Sequence, residues 1–161
     1  MVSAQLVSGS SYSSQTSASL AQYAYLYKYD MRNRCIGTKL PGCSWEYKVY
    51  DLADRLIFSQ TGEQRKRGEW QFALPDAMGR ECIMGICKNA IDPFNNPILN
   101  TCVKCERTDN ASLLGYSVTG VALNSVTVLT AKYYDDYLFK MQNGTLISNS
   151  SLNYEANSEF G

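Results

Sequence analysis

The sequence predicts an all-β fold of consecutive antiparallel hairpins, and three observations carry that prediction. Tyrosine, tryptophan and branched residues alternate with other types at a period of two, the period of a strand rather than the 3.6 of a helix. Clusters of Asp, Asn, Gly and Pro cut these stretches into short runs. An Asp followed four residues later by an Arg occurs at 30/34, 51/55 and 76/80, with successive aspartates 21 and 25 residues apart. That spacing fits one hairpin per repeat, with the loops absorbing the variation.

The chain opens on "MVSAQLVSGSSYSSQTSASL", where eight serines in twenty residues read as a weakly ordered lead-in over 1–20. It has neither a basic n-region nor a long apolar core, so it does not read as a secretory signal. From 21 to 87 three hairpin units are expected. In the first, Tyr23, Tyr25, Tyr27 and Tyr29 share one face of an extended strand, opposite Ala24, Leu26 and Lys28. "DMRNR" supplies the turn, and "CIGTKLPGC" returns to a tight Pro41–Gly42 bend.

The second unit places Trp45, Tyr47 and Val49 on one face, turns at "DLADR" and returns as "LIFSQ". "TGEQRKRGE" is then expected to be an exposed connection. Arg65, Lys66 and Arg67 at its tip read as a solvated charge cluster in preference to a phosphate or partner contact. The third unit alternates Trp70, Phe72 and Leu74 with Gln71 and Ala73, and its return strand "ECIMGIC" is expected to put Cys82, Met84 and Ile86 on a common face. Pro75 belongs at a strand end or at an exposed N–H position, because it cannot donate to a ladder.

Residues 88–112, rich in Asn, Asp and Pro, read as an irregular connection. A divergent β block over 113–149 follows in the same domain. In it "SVTVLT" sets Val126 and Val128 against Thr127 and Leu129, which suits burial on both faces, and Asn143–Gly144 suits a two-residue turn. The stretch 150–161 reads as a flexible tail.

Composition narrows the chemistry. Fifteen basic and fifteen acidic side chains cancel, so no global field draws the chain to nucleic acid or to an anionic membrane. No apolar run approaches the roughly 18 residues of a membrane-spanning helix, and no membrane insertion is expected. With no histidine, Ser/His/Asp triads, Cys/His dyads and imidazole metal ligands are excluded. Cys82, Cys87, Cys102 and Cys105 follow C-x4-C-x14-C-x2-C, a spacing looser than a zinc knuckle, and reduced thiols in structural positions are the favoured reading. No catalytic, cofactor or metal residues are assigned. Asp30, Asp51 and Asp76 lie at equivalent places in successive hairpins, whereas paired catalytic carboxylates must converge on one bond. Each is expected to organise its turn, while each Arg lays its stem on a ring and directs its head to a carboxylate or carbonyl, and stacked repeats are expected to bury ladders of rings.

"YLYKYDMRNRCIG", "EYKVYDLADRLIF" and "WQFALPDAMGRECI" resemble the tyrosine–aspartate repeats of Rhs proteins, particularly those of gut Bacteroidetes, across residues 23–87. In that resemblance Tyr27, Tyr29, Asp30 and Arg34 match the first repeat signature, and Tyr50, Asp51 and Arg55 the second. Asp76 and Arg80 match the third, where Phe72 stands as the aromatic substitute and Pro75 occupies the place of the residue before the Asp. "KYYDDY" keeps Tyr134 and Asp135 but lacks the following Arg. The resemblance implies antiparallel sheets that spiral into a shell, a structural β scaffold without catalytic activity, and a bacterial surface or secreted setting. About three units leave two sheet edges open, which makes other Rhs segments or further copies of this chain the implied partners. The aromatic excess supports an alternative, a cell-surface module that binds glycan or protein.

Overall fold

The computed structural model describes residues 22–108 and 113–134 with their side chains, and residues 141–142 and 145–146 as backbone. Seven antiparallel strands form one sheet: β1 (Leu26–Tyr29), β2 (Cys35–Lys39), β3 (Glu46–Tyr50), β4 (Leu56–Gln60), β5 (Trp70–Pro75), β6 (Glu81–Cys87) and β9 (Thr127–Ala131). Between β6 and β9 the chain makes an excursion over 88–126. It contains a separate antiparallel pair, β7 (Lys104–Arg107) and β8 (Tyr116–Thr119). The all-β antiparallel class therefore holds. Strands β1 to β6 follow one another as a meander, each unit being one hairpin. Strand β7 falls in a stretch whose Asn and Pro content had suggested irregular chain throughout.

The core lies between the sheet and the excursion. Val49, Ile57, Phe58, Trp70, Phe72, Leu74 and Ile83 from the sheet pack with Ile98, Val103, Cys105 and Tyr116 from the excursion. Alternation on β5 is clean, with Trp70, Phe72 and Leu74 buried. Gly85 on β6 is required by close approach: a Cβ there would lie 2.3 Å from the Thr127 carbonyl oxygen and 2.7 Å from Cζ of Phe72. Burying these large apolar side chains is worth about 1.5–3 kcal/mol each, and this drives the excursion down onto the sheet.

Three expectations are corrected. The tyrosines of the first unit do not bury a ladder of rings: Tyr23, Tyr25, Tyr27 and Tyr29 are all exposed. Among the described residues strand β1 is the sheet's edge, and the excursion is anchored over the second unit. Strand β9 is the opposite edge of this sheet among the described residues, and it is covered on one side only, with Val126 and Val128 half-buried and Leu129 exposed. "TGEQRKRGE" is the exposed connection expected between β4 and β5. It holds a one-turn helix, α1 (Gly62–Lys66), closed by a capping box in which Thr61 and Gln64 bond reciprocally. Lys66 and Arg67 are exposed and Arg65 is half-buried, and each makes a local contact. Arg65 donates to the Trp45 carbonyl at 3.0 Å and stacks on Tyr47, while Lys66 pairs with Glu63 and Arg67 with Glu69.

The third correction concerns β6, where Cys82 is buried beside Ile83 instead of sharing a face with Met84 and Ile86. A bulge between Leu74 and Pro75 in the β5–β6 register leaves Cys82 without a partner, and the alternation breaks there. Met141–Gln142 pairs antiparallel with Thr145–Leu146 as β10 and β11, leaving two residues between them. Asn143, Gly144 and Asp135, like the proposed lead-in and tail, lie outside the described residues.

Candidate functional site: a ladder of Asp–Arg joints

Each hairpin turn of the first three units has the same construction. The Asp N–H donates to the carbonyl of the Arg four residues on, at 3.0 Å for Asp30, 3.0 Å for Asp51 and 2.8 Å for Asp76. The Asp carbonyl accepts from the residue three on, which adopts positive φ: Asn33, Asp54 and Gly79. Asn, Asp and Gly are the residues that tolerate this left-handed conformation. The carboxylate then bonds both the backbone N–H and Nε of its own Arg. The Nε distances are 2.7 Å for Arg34, 3.0 Å for Arg55 and 2.7 Å for Arg80.

Immediately beyond each turn the ladder is bulged, between Lys28 and Tyr29, Val49 and Tyr50, and Leu74 and Pro75. The unpartnered residue is Ile36, Ile57 or Cys82, and all three are buried. The sequence signal for this bulge is the buried residue two places after each Arg, followed at once by another buried residue.

The guanidinium of one unit also reaches the next. Arg34 Nη1 donates to the Asp51 carbonyl at 2.8 Å, and Arg55 Nη1 to the Asp76 carbonyl at 3.4 Å. Arg34 stacks on the Tyr50 ring, and the Tyr50 hydroxyl donates to the Cys35 carbonyl at 3.2 Å. Nη2 of Arg34 is buried and has no hydrogen-bond acceptor among the described residues. The negative face of the stacked ring is its compensation. Arg80 stacks on Tyr134 at 4.4 Å, and the Tyr134 hydroxyl donates to the Glu81 carbonyl at 3.0 Å. Cys35 follows Arg34 as Glu81 follows Arg80, so Tyr134 takes the place in a fourth unit that Tyr50 takes in the second. The residues 88–126 are thus an excursion within the repeat register.

The middle joint differs because Pro75 stands where a Tyr would stack on Arg55. The excursion fills the gap. Arg55 Nη2 donates to the Val103 carbonyl at 2.7 Å, and the Val103 N–H donates to Asp51 Oδ2 at 3.1 Å. Leu52 N–H bonds the Thr101 carbonyl, and Asn96 caps the Tyr50 carbonyl. Asp51 is 0 % exposed in consequence. Its burial acts to raise its carboxyl pKa, but hydrogen bonds from the Arg55 side chain and backbone and from Val103, with the Arg55 charge, hold it below the ordinary value. Asp30 and Asp76 are likewise lowered: desolvation opposes, and the backbone and side-chain bonds from Arg34 and Arg80 prevail.

The structure therefore joins Asp30 to Arg34, Asp51 to Arg55, and Asp76 to Arg80, each in its own turn. Every one of these carboxylates is engaged by its own arginine and by backbone N–H groups, a use of charge that holds turns in place. Tyr27 and Tyr29 stand apart on the exposed face of β1. The six cysteines do not form one cluster, although Cys82 and Cys105 neighbour each other in the core. Cys82, Cys87 and Cys105 are buried, Cys102 and Cys43 are exposed, and Cys35 is half-buried. Burial raises the thiols of Cys82 and Cys87, and pushes that of Cys105 up to about 12, which disfavours the thiolate needed for nucleophilic or metal chemistry. Among the described residues no three Cys, Asp or Glu side chains form a group able to hold a metal ion, and no helix is long and apolar enough to cross a membrane. A shallow groove of about 420 Å³ over Leu113–Val126 is lined by apolar side chains and Ser117, with no charged group.

Comparison with known proteins gives no match to any family model, curated protein or solved structure.

Proposed function

We propose that this chain is a structural β scaffold of the Rhs tyrosine–aspartate repeat type, a segment of shell wall without catalytic activity of its own. One observation carries the reading: the arginine of one unit bonds its own Asp carboxylate and also the backbone carbonyl of the next unit's Asp. Such a joint fixes hairpin to hairpin and can be repeated indefinitely, which is what a curved wall requires. The same groups would have to be released before they served catalysis. Spiral closure of the sheet and a surface or secreted setting belong to this proposal through the repeat resemblance.

A second reading, a glycan- or protein-binding module, is favoured by the row of exposed rings at Tyr23, Tyr25, Tyr27 and Tyr29. A thermal-shift screen of the chain against glycans, nucleotides and divalent cations separates the two. The scaffold reading predicts a flat response. A ligand that raises Tm by roughly 4 °C or more, about 1 kcal/mol of linkage, and loses that effect with Tyr27→Ala, would replace it with the second reading.

A further inference from the structure

Strand β1 carries half of an inter-unit joint. In the joint between the first two units, the ring of Tyr50 lies over Arg34, its hydroxyl bonds the carbonyl after that Arg, and the Asp51 carbonyl accepts from Arg34. Tyr29 and Asp30 are the equivalent residues of the first unit, and they have no such arginine. Tyr29 is 61 % exposed where Tyr50 is half-buried, and among the described residues the Asp30 carbonyl accepts only from Asn33 within its own turn. No strand among the described residues pairs with the outer side of β1. Tyr27 and Met31 extend the exposed apolar surface along this edge.

We infer that the β1 edge is a docking site for a β-hairpin with an Asp-x-x-x-Arg turn, presented by a neighbouring repeat segment. Its arginine stacks on Tyr29 and donates to the Asp30 carbonyl, and its return strand pairs with β1 as β2 pairs with β3. The Tyr29 hydroxyl then donates to the carbonyl of the residue after that arginine. This rests on the scaffold reading and names its partner. The argument for this occupant is continuity: the interface it would form already joins the first unit to the second, and its Tyr–Arg part recurs at Tyr134. A second copy of this chain fits less well, because Arg34, Arg55 and Arg80 are already engaged by the next unit's Asp51 carbonyl, Asp76 carbonyl and Tyr134 ring.

The test appends a copy of residues 45–60 ahead of Met1 of the full chain through a flexible Gly-Ser linker of about 20 residues, which sets a millimolar effective concentration. Hydrogen exchange is then read at the amides of residues 26–31. The expected result is about tenfold or greater slowing in the extended chain. Tyr29→Ala in the chain, or Arg55→Leu in the appended copy alone, reverses it. Unchanged exchange, or equal slowing with the Arg55→Leu copy, overturns the inference. Dimerisation of the original chain through β1, seen by sedimentation and abolished by Tyr29→Ala, overturns it in favour of a second copy. The thermal-shift screen is independent, so a bare edge with no ligand found sinks this inference and leaves the scaffold reading standing.

Discussion

Replacing Asp51 by alanine probes the joint where the sheet and the excursion meet. A turn-forming Asp judged from sequence alone is worth about 0.5–2 kcal/mol, the cost of losing a side-chain cap. The structure raises that figure. The Asp51 carboxylate accepts four hydrogen bonds, from Arg55 N, Nε and Nη2 and from Val103 N, and is wholly screened from water. Asp51→Ala leaves the Arg55 guanidinium, itself only 25 % exposed, without its counter-charge and strands the Val103 N–H. Breaking a buried ion pair by removing one partner costs about 3–5 kcal/mol. Asp30→Ala and Asp76→Ala should cost about 1–2 kcal/mol, since their partly exposed sites admit water in place of the carboxylate. Urea denaturation with a common m-value measures all three. In the Asp51→Ala/Arg55→Ala double variant the loss should fall well short of the sum of the single losses, because the second change removes the stranded charge. An Asp51→Ala cost no larger than that of Asp30→Ala, or additive losses in the double variant, would refute the reasoning.

Three further outcomes are expected. Asp30, Asp51 and Asp76 all titrate below the ordinary Asp value of 3.8 when folded, so the unfolded chain binds protons more readily than the folded one. Their contribution to stability is therefore complete above that value and drains away as pH falls through the folded values; the urea midpoint should be level from about pH 7 to 5 and fall below about 4. Gly85→Ala should destabilise by about 1–3 kcal/mol or more, since the Thr127 backbone oxygen in its path cannot rotate away, and loss of protection at β9 in hydrogen exchange would locate the damage. A thiol reagent should label Cys43 and Cys102 quickly in the native state, Cys35 more slowly, and Cys82, Cys87 and Cys105 only on unfolding; rapid native labelling of Cys105 would contradict the packing of β7 on the sheet.

How much of this was legible in the sequence follows from the range of each interaction. The Asp–Arg turn closes within four residues, so the 30/34, 51/55 and 76/80 pattern marks it directly. Strand β5 was legible because Trp70, Phe72 and Leu74 alternate without interruption. The bulges were overlooked although they leave a signal, two adjacent buried residues after each Arg, which period-two reading assigns to opposite faces. The clamp on Asp51 could not be read. Val103 lies 52 residues away from it, and nothing in "NTCVKC" marks that backbone as its partner. Exposure of the first unit's tyrosines depends on which strand forms the edge, a property of the whole sheet. For Tyr134 the signal was half present: "KYYDDY" keeps the Tyr–Asp pair, and only the structure shows Arg80 beneath the ring.

The central claim is that guanidinium groups lock successive turns together, and the most direct measurement of it is the NMR exchange behaviour of the arginine Nε–H protons. Arg34, Arg55 and Arg80 each bond an Asp carboxylate through Nε. Three dispersed, slowly exchanging side-chain resonances are expected, each removed by Arg→Lys at its own position, and that of Arg34 shifted by Tyr50→Leu as well. Three averaged, rapidly exchanging resonances at the position of free arginine would show that the joints do not form and that the hairpins are held together by something else.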